Sequence, residues 1–378
     1  MSTVTGRIDP MLQALESLVR AESPTEDLAA CRKVVELASK IAETELGSAA
    51  QILEVNGRPI FWWGDKNPKV VLLAHLDTVW PIGSFDPIWQ IDGDVIRGPG
   101  TFDMKVGFTQ ALFALKGIDG PVALIATTDE ETGSFASRDL IKEVSKGASA
   151  VLVLEASLDG KVKTGRKGTA MYEIKAIGLA AHAGLEPEKG INASVELAAQ
   201  ILELKGLESK EHGTTVVPTM IKGGTTSNTV PEMASVEIDA RSFNQKDLER
   251  VDAAIKSLSP KTSGAKLEIT GGLNRPVLEP KSTKELYEIA EQVAAKMGIA
   301  PLGSAEVGGA SDGNFAAAAG ARVLDGLGAI GGGAHAKNEW ASISGMQERS
   351  KFLHQFIKQL IAELDKELDK EIAKENKK

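Results

Sequence analysis

Residues 70–77 read VVLLAHLD, a short unbroken apolar run that ends in His75 and Asp77. Two further runs share this form. Residues 122–134 read VALIATTDEETGS, and residues 150–155 read AVLVLE. Continuous apolar runs without alternation suit strands buried on both faces of a largely parallel sheet. Helical stretches fall between them, notably over 105–116 and 137–146. The fold class expected is therefore α/β: a mostly parallel mixed sheet flanked by helices.

Further along, MYEIKAIG (171–178) and ASVEIDARSF (234–243) alternate instead. Alternation marks a sheet with one exposed face. Asn192 caps a helical run through Leu204. The segment thus reads as an α+β module inserted into the first domain. The expected boundaries are 1–166 and 276–378 for the two parts of the first domain, and 167–275 for the insertion. A length of 378 residues agrees with more than one core.

The formal net charge is -9, which argues against nucleic acid or an anionic membrane as partner. The single cysteine, Cys31, allows no intrachain disulfide and reads as a buried helical thiol. MSTVTGRIDPML (1–12) lacks a basic segment followed by an apolar core, and no apolar run is long enough to span a bilayer. The cytoplasm is the expected location.

All three buried runs end in groups that can hold a metal. Functional groups in open α/β sheets collect at the carboxyl ends of strands. His75, Glu131 and Glu155 should therefore share one rim. Asp103 in GPGTFDMKVG (98–107) and His335 in GGGAHAKNEW (331–340) lie in glycine-rich loops free to reach it. His75 and Asp77 project to one side of an extended strand, and a carboxylate beside an imidazole commonly orients a metal-bound histidine. Taken singly, each motif has a plain alternative: a polar strand end, a solvated acidic turn at Asp129–Glu131, a loop before a helix. Together they give five candidate ligands in the order His, Asp, Glu, Glu, His.

On HLDTV (75–79), GPG followed by Asp103, TDEETGSFASRDLI (128–141), AHAG (181–184) and SNTVP (227–231), the chain resembles a zinc metallopeptidase family. That family includes glutamate carboxypeptidase, succinyl-diaminopimelate desuccinylase, aminoacylase and tripeptidase, and the glutamate carboxypeptidase branch is the nearest. The resemblance implies two Zn2+ per subunit, with Co2+ or Mn2+ as substitutes. His75, Asp103 and Glu155 would hold one ion. Asp103, Glu131 and His335 would hold the other, so that Asp103 bridges. Asp77 would orient His75, and Glu130 would be the general base.

The resemblance also implies a cis peptide after Asp103, and a homodimer formed through the inserted dimerisation or lid domain. His182 would stabilise the oxyanion from the partner subunit. Asn228 and Arg241 would bind substrate, with Arg241 clamping a carboxylate. Lys161 and Arg275 are lesser candidates for that clamp, and His212 and His354 read as surface residues. The implied activity is cleavage of an amide or peptide bond next to a free carboxylate, on a short peptide or N-acyl amino acid. The alternatives are an N-acyl-amino-acid aminoacylase and a non-catalytic metal-binding relative.

Overall fold

A computed structural model describes residues 9–375, with side chains through Lys366. The chain parts into two compact units. One holds residues up to Thr164, Pro280–Glu306, and Ser311 onward; the other holds Gly165–Glu279 and Val307–Ala310.

The first unit is built on a six-stranded sheet. Its order is Gln51–Val55, Arg58–Gly64, Val122–Thr127, Val70–His75, Ala150–Val153, Val323–Leu324. The last four strands run parallel, and Arg58–Gly64 pairs antiparallel on both sides. All sixteen residues of strands Val70–His75, Val122–Thr127 and Ala150–Val153 are buried. Leu72, Leu124 and Leu152 pack against helices Leu28–Leu46, Val106–Ala114, Lys284–Met297 and the start of Ile343–Glu375 through Val34, Phe108, Ile289 and Phe356. Asp9 caps the first helix by accepting from Met11 N, with Pro10 in its first turn.

Helix Val106–Ala114 approaches the sheet through Gly107. A Cβ there would lie 2.0 Å from the Leu154 carbonyl oxygen. This contact brings the segment after Asp103 against the strand end that carries Glu155.

The second unit is an antiparallel sheet in the order Thr215–Gly223, Met233–Ser242, Gly168–Ile177, Lys266–Arg275. Its buried face, with Ile174, Val236 and Ile238, packs on Leu197, Leu248, Val251 and Ile255 of helices Ala193–Lys205 and Gln245–Lys256. Asn192 caps the first of these helices. Val307–Ala310 joins this unit although it lies well beyond the expected insertion. Lys167 N donates to Val307 O at 3.1 Å, and Arg166 Nη1 to Gly309 O at 3.1 Å.

Two surface expectations are corrected. His354 is half-buried, and its Nδ1 donates to Ala114 O at 2.8 Å, because helix Ile343–Glu375 turns that face onto helix Val106–Ala114. His212 is half-buried too, in a turn whose carbonyl accepts from Phe243 N at 3.1 Å. Cys31 is buried as expected, and burial pushes its thiol up to about 12. Among the described residues no helix is long and apolar enough to cross a membrane.

Gly107→Ala forces a methyl group into a backbone oxygen that cannot swing aside. Overpacking of this kind costs about 1–3 kcal/mol, so the urea midpoint should fall while the slope stays constant. An unchanged midpoint would show that the helix has slack at this contact.

Candidate active site

Parallel register delivers three carboxyl-end residues to one rim. His75 ends its strand opposite Thr127, and Leu73 stands opposite Val153. Glu155 follows two residues after Val153. Glu131 sits in the single turn Glu130–Thr132 just past the neighbouring strand.

Of the three consecutive acids, Asp129 shapes this turn. Its Oδ2 accepts from Ala136 N at 2.8 Å and Ser137 N at 3.1 Å, which draws the loop into a compact knot. Glu130 is buried within the turn. Asp103 arrives from the loop after strand Val95–Arg97, where its peptide to Met104 is cis. His335 stands near the tip of the hairpin joining Gly331–Gly332 to Trp340–Ser342. Its φ of 58° lies in the left-handed region, unusual for a residue with a Cβ.

The five side chains meet. His75 Nε2 lies 3.4 Å from Asp103 Oδ1 and 3.7 Å from Glu155 Oε1. His335 Nε2 lies 3.4 Å from Asp103 Oδ2 and 3.1 Å from Glu131 Oε2. In each triad the donor atoms fall within 4.8 Å of one another. Asp103 belongs to both triads, and each of its oxygens faces a different imidazole.

His75 Nδ1 donates to the Asp77 carbonyl at 3.0 Å, so Nε2 is the atom turned to the carboxylates. The Asp77 carboxylate is farther, with Oδ1 at 3.5 Å from Nδ1. Its Oδ2 accepts from Thr25 Oγ1 at 2.8 Å and Glu131 N at 3.2 Å, tying the His75 segment to the Glu131 turn. Oδ1 is buried and faces the His75 imidazole.

Charge in this cluster is strongly coupled. Burial disfavours a protonated His75, yet hydrogen bonds to Asp103 and Asp77 outweigh it and raise its pKa. Hydrogen bonds to Asp103 and Glu131 raise His335 to about 10. Burial alone would raise Asp103, but the two imidazoles prevail and hold it below the usual carboxylate range. Burial raises Glu131 to about 7, against its bond to His335 and with the Asp103 charge adding to the effect. Protons thus balance the carboxylates when nothing else does. Divalent cations would do so at the same atoms, and the nitrogen and oxygen donors fit them.

Of the other expected residues, His182, Asn228, Arg241 and Arg275 lie in the second unit. His182 and Asn228 come together there. Ala181–His182 pairs with Thr229–Val230, and Ala183 N donates to Asn228 O at 2.9 Å. His182 is exposed, and its Nδ1 accepts from Gly184 N and Leu185 N, each at 3.1 Å. Those two donors place the proton of a neutral imidazole on Nε2. Arg241 is engaged by its own sheet: Nε and Nη2 each donate to Asp239 at 2.8 Å, and Nη1 donates to Gly308 O at 3.2 Å. A substrate carboxylate would have to displace Asp239. Of the lesser candidates, Lys161 is exposed in a turn and Arg275 is buried at a strand end.

Sequence reading passed over Glu339. Its buried carboxylate accepts four N–H groups. Oε1 takes Phe102 N at 2.8 Å and Asp103 N at 3.1 Å; Oε2 takes Gly100 N at 3.1 Å and Trp80 Nε1 at 3.0 Å. Burial raises its pKa, while these donors pull the other way. The backbone around Asp103 is therefore wrapped on Glu339, at the foot of the hairpin that carries His335. Lys105 is the second omission. It is fully buried, donates to Leu18 O at 3.0 Å and Ala21 O at 3.3 Å, and is pushed down to about 8 by burial. The signal for Glu339 was an acid four residues after His335 in a loop otherwise poor in charge.

Comparison with known proteins agrees with this geometry. The model of peptidase family M20/M25/M40 matches residues 71–359. Carboxypeptidase G2 of Pseudomonas sp. is 32% identical, over 90% of this chain and 86% of that protein. Succinyl-diaminopimelate desuccinylase of Methylococcus capsulatus is 25% identical, over 88% of this chain and 94% of its own. Among solved structures, an M20 family metallo-carboxypeptidase from Sulfolobus solfataricus superposes with a TM-score of 0.74 at 19% identity, covering 93% of this chain and 99% of that one. The chain belongs to peptidase family M20/M25/M40 and is a hydrolytic metallopeptidase.

Replacing Glu339 by Gln turns an amide N–H2 toward backbone donors that need an acceptor. Zinc titration of metal-stripped Glu339→Gln should show affinity reduced about 10- to 100-fold, the usual effect of losing a group that orients a ligand. Wild-type affinity in a less stable protein would limit Glu339 to a folding role.

Proposed function

We propose that this family member is a di-zinc, carboxypeptidase-like hydrolase that cleaves the amide or peptide bond next to a substrate's free carboxylate. One observation carries the metal reading: the two oxygens of Asp103 face two separate imidazoles, each backed by a further carboxylate. His75, Asp103 and Glu155 would hold one cation, and Asp103, Glu131 and His335 the other. Similarity to carboxypeptidase G2 supports the carboxypeptidase side of the reading.

When bound, the cations would lower the pKa of a shared water to about 7 and polarise the scissile carbonyl. The chain's own residues do the rest. Asp77 fixes the orientation of His75 through its carbonyl and carboxylate. Glu130 takes a proton from the water as its oxygen adds to the carbonyl carbon. It returns that proton to the leaving nitrogen as the C–N bond breaks. His182, reaching the active site of the partner subunit, donates from Nε2–H to the developing oxyanion. Asn228 binds the substrate's carbonyl or carboxylate, and Arg241 clamps the carboxylate by exchanging Asp239 for it.

A homodimer through the second unit forms part of this reading. Thr215–Gly223 is an edge strand with Val217, Met220 and Ile221 exposed, and Val195 and Leu202 are exposed on helix Ala193–Lys205. An unpaired strand edge beside exposed apolar side chains is suited to continuation in a second copy.

The test is hydrolysis of a panel of dipeptides, folate-like compounds and N-acyl amino acids, with metal content measured on the same samples. Glu130→Ala should keep its metal and lose about 10²- to 10⁴-fold in kcat. Full turnover by that variant would remove Glu130 as the proton carrier.

A further inference from the structure

Beside Glu131 the first unit opens into an apolar groove of about 830 Å³. Pro24, Leu28, Val79, Pro81 and Ile82 line it, and Glu131 with Thr132 forms part of its wall. Leu28, Val79 and Ile82 are exposed large apolar side chains gathered on one surface. Such a gathering commonly marks a binding site, and the size suits a small organic group.

The groove is held rigidly to the ligand cluster. Thr78 N donates to Ser23 O at 2.8 Å, and Thr25 N to Thr78 O at 3.1 Å, so the two walls are laced together. Thr25 Oγ1 reaches the carboxylate of Asp77, which touches both His75 and the Glu131 turn. The Glu22 carboxylate accepts from Gly83 N at 3.0 and 3.1 Å, and this fixes the turn that carries Ile82. A wall pre-formed in this way loses little entropy when a ligand enters.

Charge narrows the choice of occupant. Besides Glu131, the charged lining residues are both acids: Glu26 is exposed, and Asp27 is half-buried and caps helix Leu28–Leu46 through Ala30 N. The lining contains no lysine or arginine. A second carboxylate on the substrate would meet repulsion there without a compensating cation.

We propose that this groove is the subsite for the acyl side of the scissile bond, and that it selects uncharged apolar acyl groups over acidic ones. The inference rests on the carboxypeptidase-like reading and adds a substrate class to it. Continuity supports it: Glu131 stands in both the groove wall and the metal-ligand cluster, so a group leading away from the scissile carbonyl can enter directly. Transfer of apolar surface then favours longer acyl chains until the groove is filled.

The experiment uses the full-length, metal-loaded protein with N-acetyl, N-hexanoyl, N-octanoyl and N-succinyl derivatives of L-glutamate and L-leucine. From acetyl to octanoyl, kcat/KM should rise about three- to four-fold per methylene, with succinyl the poorest. Ile82→Asp and Leu28→Asp alter exposed side chains. Each should lower the octanoyl-to-acetyl ratio of kcat/KM at least about tenfold. A flat acyl series, or a preference for succinyl, overturns the groove assignment while leaving the carboxypeptidase-like reading in place. If neither these compounds nor the dipeptides and folate-like compounds are cleaved, that reading fails instead. Calorimetry of N-octanoyl-L-leucine with metal-stripped protein then decides the groove separately: weaker binding to Ile82→Asp supports it, and equal binding overturns it.

Discussion

A single carboxylate, that of Asp103, stands between two imidazoles, and the first unit is arranged around keeping it there. Three acids and two histidines packed this closely repel or attract one another too strongly to be left to chance. The pKa directions show the tension: Asp103 is held ionised, Glu131 is driven towards protonation, and both histidines hold their protons. Divalent cations at the same donor atoms would relieve that tension.

The scaffold meets the constraint from two directions. Parallel pairing brings the ends of three strands to one level, which sets His75, Glu131 and Glu155 without long excursions. The remaining two candidate ligands, Asp103 and His335, come from loops that grip each other. The hairpin of His335 also carries Glu339, and Glu339 gathers the backbone N–H groups of Gly100, Phe102 and Asp103. One hairpin thus carries His335 at its tip and orders the backbone of Asp103 from its foot. Gly107 completes the approach by letting the following helix touch Leu154 O.

Much of this was legible in the sequence, because it depended on local pattern. Unbroken apolar runs ending in His75, Glu131 and Glu155 announced both the sheet and the rim, and strict alternation in 234–243 announced the second sheet. The partners of Glu339 were not legible. They lie 236 to 259 residues away, and three of the four are backbone groups, which leave no trace in side-chain spacing. Arg241 was read as a carboxylate clamp, but its pairing with Asp239 two residues earlier went unread. His354 and His212 looked like surface residues because their neighbourhoods are polar. Their burial is set by packing between distant segments, which local composition does not report.

The most direct test counts metal. Metal-stripped protein titrated with zinc and analysed by elemental content should bind two equivalents per chain. His335→Ala and Glu155→Ala should each retain one tight equivalent, and Asp103→Ala should retain neither. Two tight equivalents in Asp103→Ala, in a protein with an intact fold, would contradict the claim that one carboxylate serves both positions.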